Sequence, residues 1–309
     1  MKGRILGIDH IGLSGLNIFK NTPFFNTFQY EKVFSESNLR IFDEIKPFLS
    51  TEITSHDAMF LKNKNGISIE MVDYHKNNLS LGRYNVIIEW SSELFPEKFV
   101  SDDDDEIVKS LNGKLGNIKK SKIPQLNIPF YFLKGTNRGI TSIVLEVTNM
   151  EKSLSLWQEI FNFEIESGGN QYFNSLVLSS PISNWNLKLI LIENDKLQKS
   201  EACLDSFGWN CISLITTDIE SEIKSLKERS DIECGLPYFF EIGGKKYKLL
   251  FIKGFDAEII ELIQPIKPWL ILIIQKLDLV STFKKIELVV KNENSLNSDK
   301  EPFQICQVF

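Results

Sequence analysis

The stretch GITSIVLEVTNMEKSLSLW, from Gly139 to Trp157, contains the clearest strand-and-helix pattern of the chain. Its first part is rich in β-branched and aliphatic residues, and it predicts a strand over residues 140–147. Asn149 is a good N-cap for a helix whose apolar residues recur at steps of four, three and four: Met150, Leu154, Trp157 and Phe161. Strand-like stretches follow around Ile165, at 172–178 and at 187–192, so the order of elements is βαβββ.

The same order returns after Gly208. A strand is predicted over residues 211–216, Asp218 is the predicted N-cap, and Ile219, Ile223 and Leu226 form the apolar side of the helix. Three strands complete this second unit before Pro265. The repetition at a fixed order of elements indicates that the chain contains duplicated modules.

Two weaker copies precede these units. One runs from a strand at 8–13, through the predicted N-cap Asn17, to a closing strand at 67–72. The other is degenerate and spans residues 85–132. The sequence therefore predicts four modules in two pseudo-symmetric halves, residues 1–136 and 137–265. Residues 266–309 form a predicted C-terminal extension. The predicted class is α+β, with curved, cup-like mixed sheets covered by helices.

Composition narrows the function classes. The 309 residues are 42% hydrophobic and 25% charged, which is typical of a folded protein, and the net charge of −6 argues against nucleic-acid or membrane partners. The short apolar runs and the absence of a signal-peptide pattern predict a cytoplasmic protein. Four cysteines without paired spacing predict reduced thiols. Because internal duplication can replace a dimer, a monomer is favoured over a dimer.

With these features the chain resembles the vicinal oxygen chelate superfamily, which includes glyoxalases, bleomycin-resistance proteins and extradiol dioxygenases. The stretches that carry the resemblance are GIDHIGLSG at Gly7, the stretch at Gly139, GISIEMV at Gly66 and AEIIELI at Ala257. The resemblance covers about residues 5–265. It implies that two modules form a cup and that metal ligands lie on the first and last strand of each module.

Ligand positions follow residue by residue from that pattern. The position seven residues before each helix cap holds His10, Asn85, Ser142 and Cys211, and the closing strands offer Glu70, Ile190 and Glu261. In the second module the closing position lies within NIPFYF and cannot be assigned. One site therefore looks retained and the other lost. Pairing of the first module with the fourth would join His10, Glu70 and Glu261, whereas pairing of consecutive modules would separate them, and the sequence leaves both open.

The resemblance implies a divalent ion, Zn, Ni, Mn or Fe, held by His10, Glu70 and Glu261 with Cys211 as a weaker candidate. Imidazole and carboxylate ligands suit these ions, and open coordination positions would accept substrate oxygens. Glu261 or Glu70 could act as general base, and so could His10. Each residue also has a structural interpretation: a packed histidine, solvent-facing glutamates, and a small buried thiol. His56 and His75 match no ligand position, and we expect surface histidines, although either could line the cup.

The predicted function is that of a metal-dependent enzyme, an isomerase or lyase or, less favoured, an oxygenase, acting on a small organic molecule. The oxygenase is less favoured because only one histidine stands at a ligand position. The alternatives are a metal-free binding or resistance protein and a metal-free enzyme with His10 as base. The aromatic content of 11% suits cup walls, and the candidates are Trp209, Tyr131, Tyr238, Phe239 and Trp90.

Overall fold

The computed structural model describes residues 5–76, 80–90, 106–124, 126–136, 139–166, 172–178, 188–197, 202–242 and 244–266. The described strands are β1 (Ile5–Ser14), β2 (Glu31–Arg40), β3 (Ser55–Lys62), β4 (Ser68–Asp73), β5 (Tyr84–Trp90), β6 (Ile118–Lys122), β7 (Pro129–Lys134), β8 (Gly139–Val147), β9 (Glu164–Ile165), β10 (Phe173–Val177), β11 (Lys188–Glu193), β12 (Gly208–Thr216), β13 (Glu233–Cys234), β14 (Tyr238–Ile242), β15 (Lys245–Lys253) and β16 (Ile259–Pro265). The helices are α1 (Thr22–Asn26), α2 (Glu106–Leu115), α3 (Met150–Leu154) and α4 (Ile219–Leu226).

Two mixed sheets organise these elements, and neither closes into a barrel. The nine-stranded sheet has the order β13-β15-β16-β12-β1-β4-β3-β2, with β14 paired to β15. The seven-stranded sheet has the order β6-β7-β5-β8-β11-β10-β9. The first module thus shares a sheet with the fourth, and the second shares one with the third. The predicted α+β class is confirmed. The sequence left two module pairings open, and in the structure each sheet combines one module from each half of the chain, so the halves are interleaved.

The two central strands of the larger sheet are buried along almost their whole length. β12 is buried at every position and β1 at all but Asp9. A strand with neighbours on both edges and packing on both faces excludes water from successive side chains, so the polar residues of these two strands, His10 and Ser213 among them, are buried with the aliphatic ones. Because β1 pairs with both β4 and β12, it lies between the closing strand of its own module and the first strand of the fourth module.

Local capping matches the sequence prediction in two of the modules. Asn149 accepts a hydrogen bond from the Lys152 N–H at 2.9 Å, and Asp218 accepts from Glu220 N–H at 3.1 Å. The helix after Asn149 is shorter than predicted, because α3 passes into a π-helical segment, Ser155–Ile160. The predicted cap at Asn17 is wrong. This residue has φ 54° and makes no side-chain cap.

The main core includes apolar side chains from both sheets, among them Ile11, Trp209 and Leu145. A hydroxyl links the sheets within it: Tyr30 donates to the carbonyl of Ile67 at 2.8 Å and accepts from the Ile140 N–H at 3.0 Å. Gly82 lies where β5 approaches β12, and a Cβ there would come 2.1 Å from the Trp209 carbonyl oxygen. The two sheets are therefore held together by apolar packing and by direct polar contacts.

The described residues form one compact unit that ends at Ile266. The predicted division at residue 136 stays a prediction, and the predicted extension, apart from Ile266, lies outside the described residues, as does the acidic stretch 102–105. None of the described helices has the length and apolar character needed to cross a bilayer.

Candidate functional site

The topology brings His10, Glu70 and Glu261 together. His10 on β1 pairs with Ser213 on β12. Glu70 lies beside Gly12 on the parallel strand β4, and Glu261 lies beside Ser213 on the parallel strand β16. Four adjacent strands from the first and fourth modules thus carry one polar cluster.

His10 is the centre of this cluster and is only 5% exposed. Its Nε2 lies 3.4 Å from Glu70 Oε2 and 3.5 Å from Glu261 Oε2. Its Nδ1 lies 2.9 Å from Asp9 Oδ2. The Phe60 ring meets the imidazole edge-on, with ring centroids 5.4 Å apart. Asp9 therefore fixes one nitrogen, and the other nitrogen faces the two glutamates.

A serine links the histidine to one of the glutamates. Ser213 Oγ lies 2.8 Å from His10 Nε2 and donates to Glu261 Oε2 at 2.5 Å. The sequence interpretation missed both Ser213 and Asp9. Asp9 adjoins His10 in the sequence and could have been considered, but Ser213 becomes visible only when β1 and β12 are known to pair.

Burial and neighbouring charges shift the pKa values of the two glutamates in opposite directions. Burial, the largest cause, raises the pKa of Glu261 to about 7, and the nearby charge of Glu70 adds to this effect. For Glu70, burial raises the pKa, but the hydrogen bond and charge of His10 outweigh it and leave the pKa lowered. One carboxyl is thus ionised at neutral pH, while the other exchanges its proton in that range.

The pKa of His10 is raised, whereas that of Glu70 is lowered. Burial alone lowers its pKa, but hydrogen bonds to Asp9 and Glu70, together with their charges, prevail and raise the pKa well above its ordinary value. A protonated His10 beside an ionised Glu70 is the consequence. The cluster can therefore hold a proton at His10 or at Glu261, and the Ser213 hydroxyl between them donates to Glu261 and accepts from His10.

Above this cluster lies a cavity of about 60 Å³, which we call the cup. Its lining includes both glutamates and Cys211, together with wall residues from β3, β14 and the end of β4: His56, Tyr238 and Tyr74. His10 lies beneath the two glutamates rather than in the lining. No site role was predicted for Tyr74, and His56 was predicted only as a residue that could line the cup.

Cys211 pairs with Gly12 in the register of β1 and β12. Burial raises the pKa of its thiol well above the ordinary value, and the charges of Glu261 and Glu70 add to the effect. The thiol is therefore protonated at neutral pH, as expected of a small buried side chain.

Four of the five predicted aromatic walls lie elsewhere. Trp209 and Tyr131 line a separate cavity of about 580 Å³. Phe239 is 68% exposed, because strand alternation turns it outward when Tyr238 points inward. Trp90 packs edge-on against Phe28, with ring centroids 5.1 Å apart. Of the five residues only Tyr238 lines the cup.

The equivalent place in the seven-stranded sheet is apolar. Tyr131 lies beside Ile87 on the parallel strand β7, as Glu70 lies beside Gly12, so it is the closing-strand residue that the sequence could not assign. Its counterpart across the pseudo-symmetry is Ile190, beside Val144. These side chains pack into an apolar cluster with Val108 and Leu111 of α2. Of the predicted positions in this sheet, Asn85 lines the 580 Å³ cavity beside Tyr131, whereas Ser142 is buried.

Within the described ranges, no three His, Cys, Asp or Glu side chains form a group that is ready to hold a metal ion. At the His10 cluster the Ser213 hydroxyl instead bonds to both His10 and Glu261. Binding of an ion there requires the hydroxyl to give up these bonds.

Comparison with solved structures identifies the fold as that of the vicinal oxygen chelate proteins, as the sequence resemblance predicted. Glyoxalase I from Zea mays matches with a TM-score of 0.51 and 14% identity, over 85% of this chain and 92% of that chain. A candidate dioxygenase from Bacillus subtilis subsp. subtilis str. 168 matches with a TM-score of 0.54 and 10% identity, over 86% of this chain and 87% of that chain. No family model and no curated protein matches the sequence. These likenesses show the fold alone.

Proposed function

We propose that this protein is a metal-dependent enzyme that acts on a small oxygenated organic molecule in the cup. The observation that carries the proposal is the convergence of one imidazole and two carboxylates from β1, β4 and β16 at the floor of that cavity. The two similar structures named above are a glyoxalase and a candidate dioxygenase, which supports an enzyme on this fold. The fold does not assign the reaction.

The donor set suits a divalent ion. Two ligand atoms that are each about 2.1 Å from one ion, at a tetrahedral angle, lie about 3.4 Å apart. The separations of His10 Nε2 from the two carboxylate oxygens are 3.4 and 3.5 Å. Asp9 holds the other imidazole nitrogen, as the carboxylate partners of ligand histidines do. His10, Glu70 and Glu261 would hold the ion, which would act as a Lewis acid toward neighbouring substrate oxygens.

The side chains of this site supply the remaining steps of an isomerisation or lyase reaction. Tyr238 and Tyr74 line the cup and exclude water from it. Glu261 has a pKa of about 7, so its carboxylate can remove a proton from a substrate carbon near neutral pH and return it to a neighbouring atom. Without the ion, Ser213 stabilises the ionised form of Glu261 by donating to Oε2. Only one histidine occupies a ligand position, which disfavours ring-opening oxygenation.

One observation favours a second candidate, a metal-free protein with the same cup. The Ser213 hydroxyl satisfies both His10 and Glu261 without an ion. In that case the cup would bind a drug or metabolite, or His10 would act as base through Ser213 after releasing its own proton. Direct action of His10 on a ligand is hindered by the glutamates that cover it.

Metal analysis of the purified protein separates the candidates. The metal-dependent enzyme should contain about one equivalent of Zn, Ni, Mn or Fe, and the metal should be lost from His10→Ala and Glu261→Gln. His75→Asn is the matched control, because His75 lies outside the cluster and Asn tolerates its positive φ of 57°. If added Zn²⁺ or Mn²⁺ binds wild type and His10→Ala equally, His10 is not a ligand and the proposal fails.

A further inference from the structure

The cup contains a second imidazole that the proposed ion site does not use. His56 lies on β3, where Asp57 pairs with Asp73 of β4, so the imidazole is next to Tyr74. The centroids of the two rings are 5.5 Å apart, at an interplanar angle of 34°. Side chains on β3 alternate, so His56 and Phe60 lie on the same face of the sheet as His10. His56 therefore projects from the wall into the cavity that has Glu70 and Glu261 at its floor.

The Nδ1 atom of His56 is buried and has no hydrogen-bond partner among the described residues. A buried polar atom without a partner is destabilising, and proteins rarely leave one unsatisfied without a functional reason. Burial, the main cause, lowers the pKa of His56, although the charges of Glu70 and Asp57 oppose this shift. The imidazole is thus neutral near pH 7, and each ring nitrogen can either donate or accept.

We propose that His56 binds the substrate directly and forms a hydrogen bond from its imidazole to a polar atom at the end of the molecule farthest from Glu70 and Glu261. This inference rests on the proposed function, since it takes the cup as the substrate site. It adds a specificity-determining contact that lies on a different strand from the predicted ligands. The substrate is held between an acidic floor and a neutral imidazole, with Tyr74 and Tyr238 as flat walls.

The size of the cup limits the ligand class. One water molecule needs roughly 10–15 Å³ of such space, so about 60 Å³ holds about four to six heavy atoms. The ligand must be compact, must present oxygens to the floor, and must carry a further donor or acceptor for His56. Acetohydroxamic acid meets these requirements: it has two neighbouring oxygens, an N–H group and five heavy atoms, and it serves as the probe.

The experiment measures acetohydroxamate binding by calorimetry and by the imidazole ¹⁵N signals, with protein loaded with Zn²⁺ and with protein kept in EDTA. His56→Phe keeps a flat ring and removes both nitrogens, whereas His56→Gln keeps a side chain that can donate and accept. Loss of one hydrogen bond should weaken binding to His56→Phe about tenfold. His56→Gln should recover part of the affinity, and His75→Asn should bind like wild type. The Zn²⁺ affinity should be the same in all of these variants.

The outcomes distinguish this inference from the proposed function. If Zn²⁺ binds but His56→Phe binds acetohydroxamate as tightly as wild type, the role of His56 is overturned and the metal site stands. If Zn²⁺ fails to bind but acetohydroxamate binding still depends on His56, the metal proposal fails and the inference stands. If wild type binds no acetohydroxamate in either state, and the His56 signals do not move, the inference is overturned.

Discussion

Replacement of Glu258 by glutamine should make the protein more stable at alkaline pH. Glu258 lies in the turn before β16 and is 0% exposed. Its Oε2 accepts from the Asp256 N–H at 2.8 Å, whereas Oε1 has no hydrogen-bond partner among the described residues. Burial raises the pKa of Glu258 from 4.5 to about 7, and the charge of Asp256 contributes to the rise.

The sign and size of the effect follow from this shift. The folded protein binds the Glu258 proton more tightly than the unfolded chain does, so the free energy of unfolding falls as pH rises from about 4.5 through 7. At 1.36 kcal/mol per pKa unit, the full loss is about 3 kcal/mol. Glutamine keeps the acceptor and the size but cannot ionise. The variant should therefore gain about 2.5 kcal/mol over wild type between about pH 5 and about pH 8.

Urea unfolding at a series of pH values, followed by fluorescence, measures this difference. Glu228→Gln is the control for the loss of one negative charge, because Glu228 is exposed. Its stability relative to wild type should change little over the same range. A stability difference between wild type and Glu258→Gln that stays constant from about pH 5 to about pH 8 would contradict this prediction, since it would mean that Glu258 titrates alike in the folded and unfolded states.

Three further predictions concern the site and the contact between the sheets. Ser213→Ala should lower the free energy of unfolding by about 1–3 kcal/mol, because it leaves two buried groups without their shared partner; unchanged urea unfolding would contradict this. Tyr30→Phe should cost a similar amount and should speed hydrogen exchange at the Ile140 amide, which loses its acceptor, so unchanged protection there would show that the bond is dispensable. Cys211→Ala should retain the metal content of wild type, because a protonated thiol is a poor ligand, and metal loss in that variant would assign Cys211 to the ion.

The sequence predicts the modules because each one combines two independent patterns. Alternation or aliphatic runs indicate strands, and an amphipathic helix with a capping residue marks where each module begins. The predicted helix caps at Asn149 and Asp218 are confirmed, because both side chains accept hydrogen bonds from the first helical turn. At Asn17 the residue type alone was misleading, because asparagine also favours a left-handed conformation, and here its N–H donates to Asp73 Oδ2 at 2.7 Å.

The grouping of His10 with the two glutamates could be anticipated only as one of two options. It depends on the pairing of β1 with β12, between residues about 200 apart, and no local pattern encodes such a contact. The walls of the cup were predicted less well, because aromatic content does not reveal which side of a strand a ring occupies. His56 escaped assignment because it lies on a middle strand of its module, outside the positions that the family pattern marks.

Interleaving of the modules also has a consequence for biosynthesis. When the first module leaves the ribosome, β1 has its parallel neighbour β4 but not its antiparallel neighbour β12, which is translated about 200 residues later. Until then an aliphatic edge with unsatisfied amides and carbonyls is open to wrong partners on other nascent chains. Closing so long a loop is entropically costly and slow. Expression at high ribosome density should therefore favour aggregation, and a chaperone that shields the first 76 residues should raise the yield.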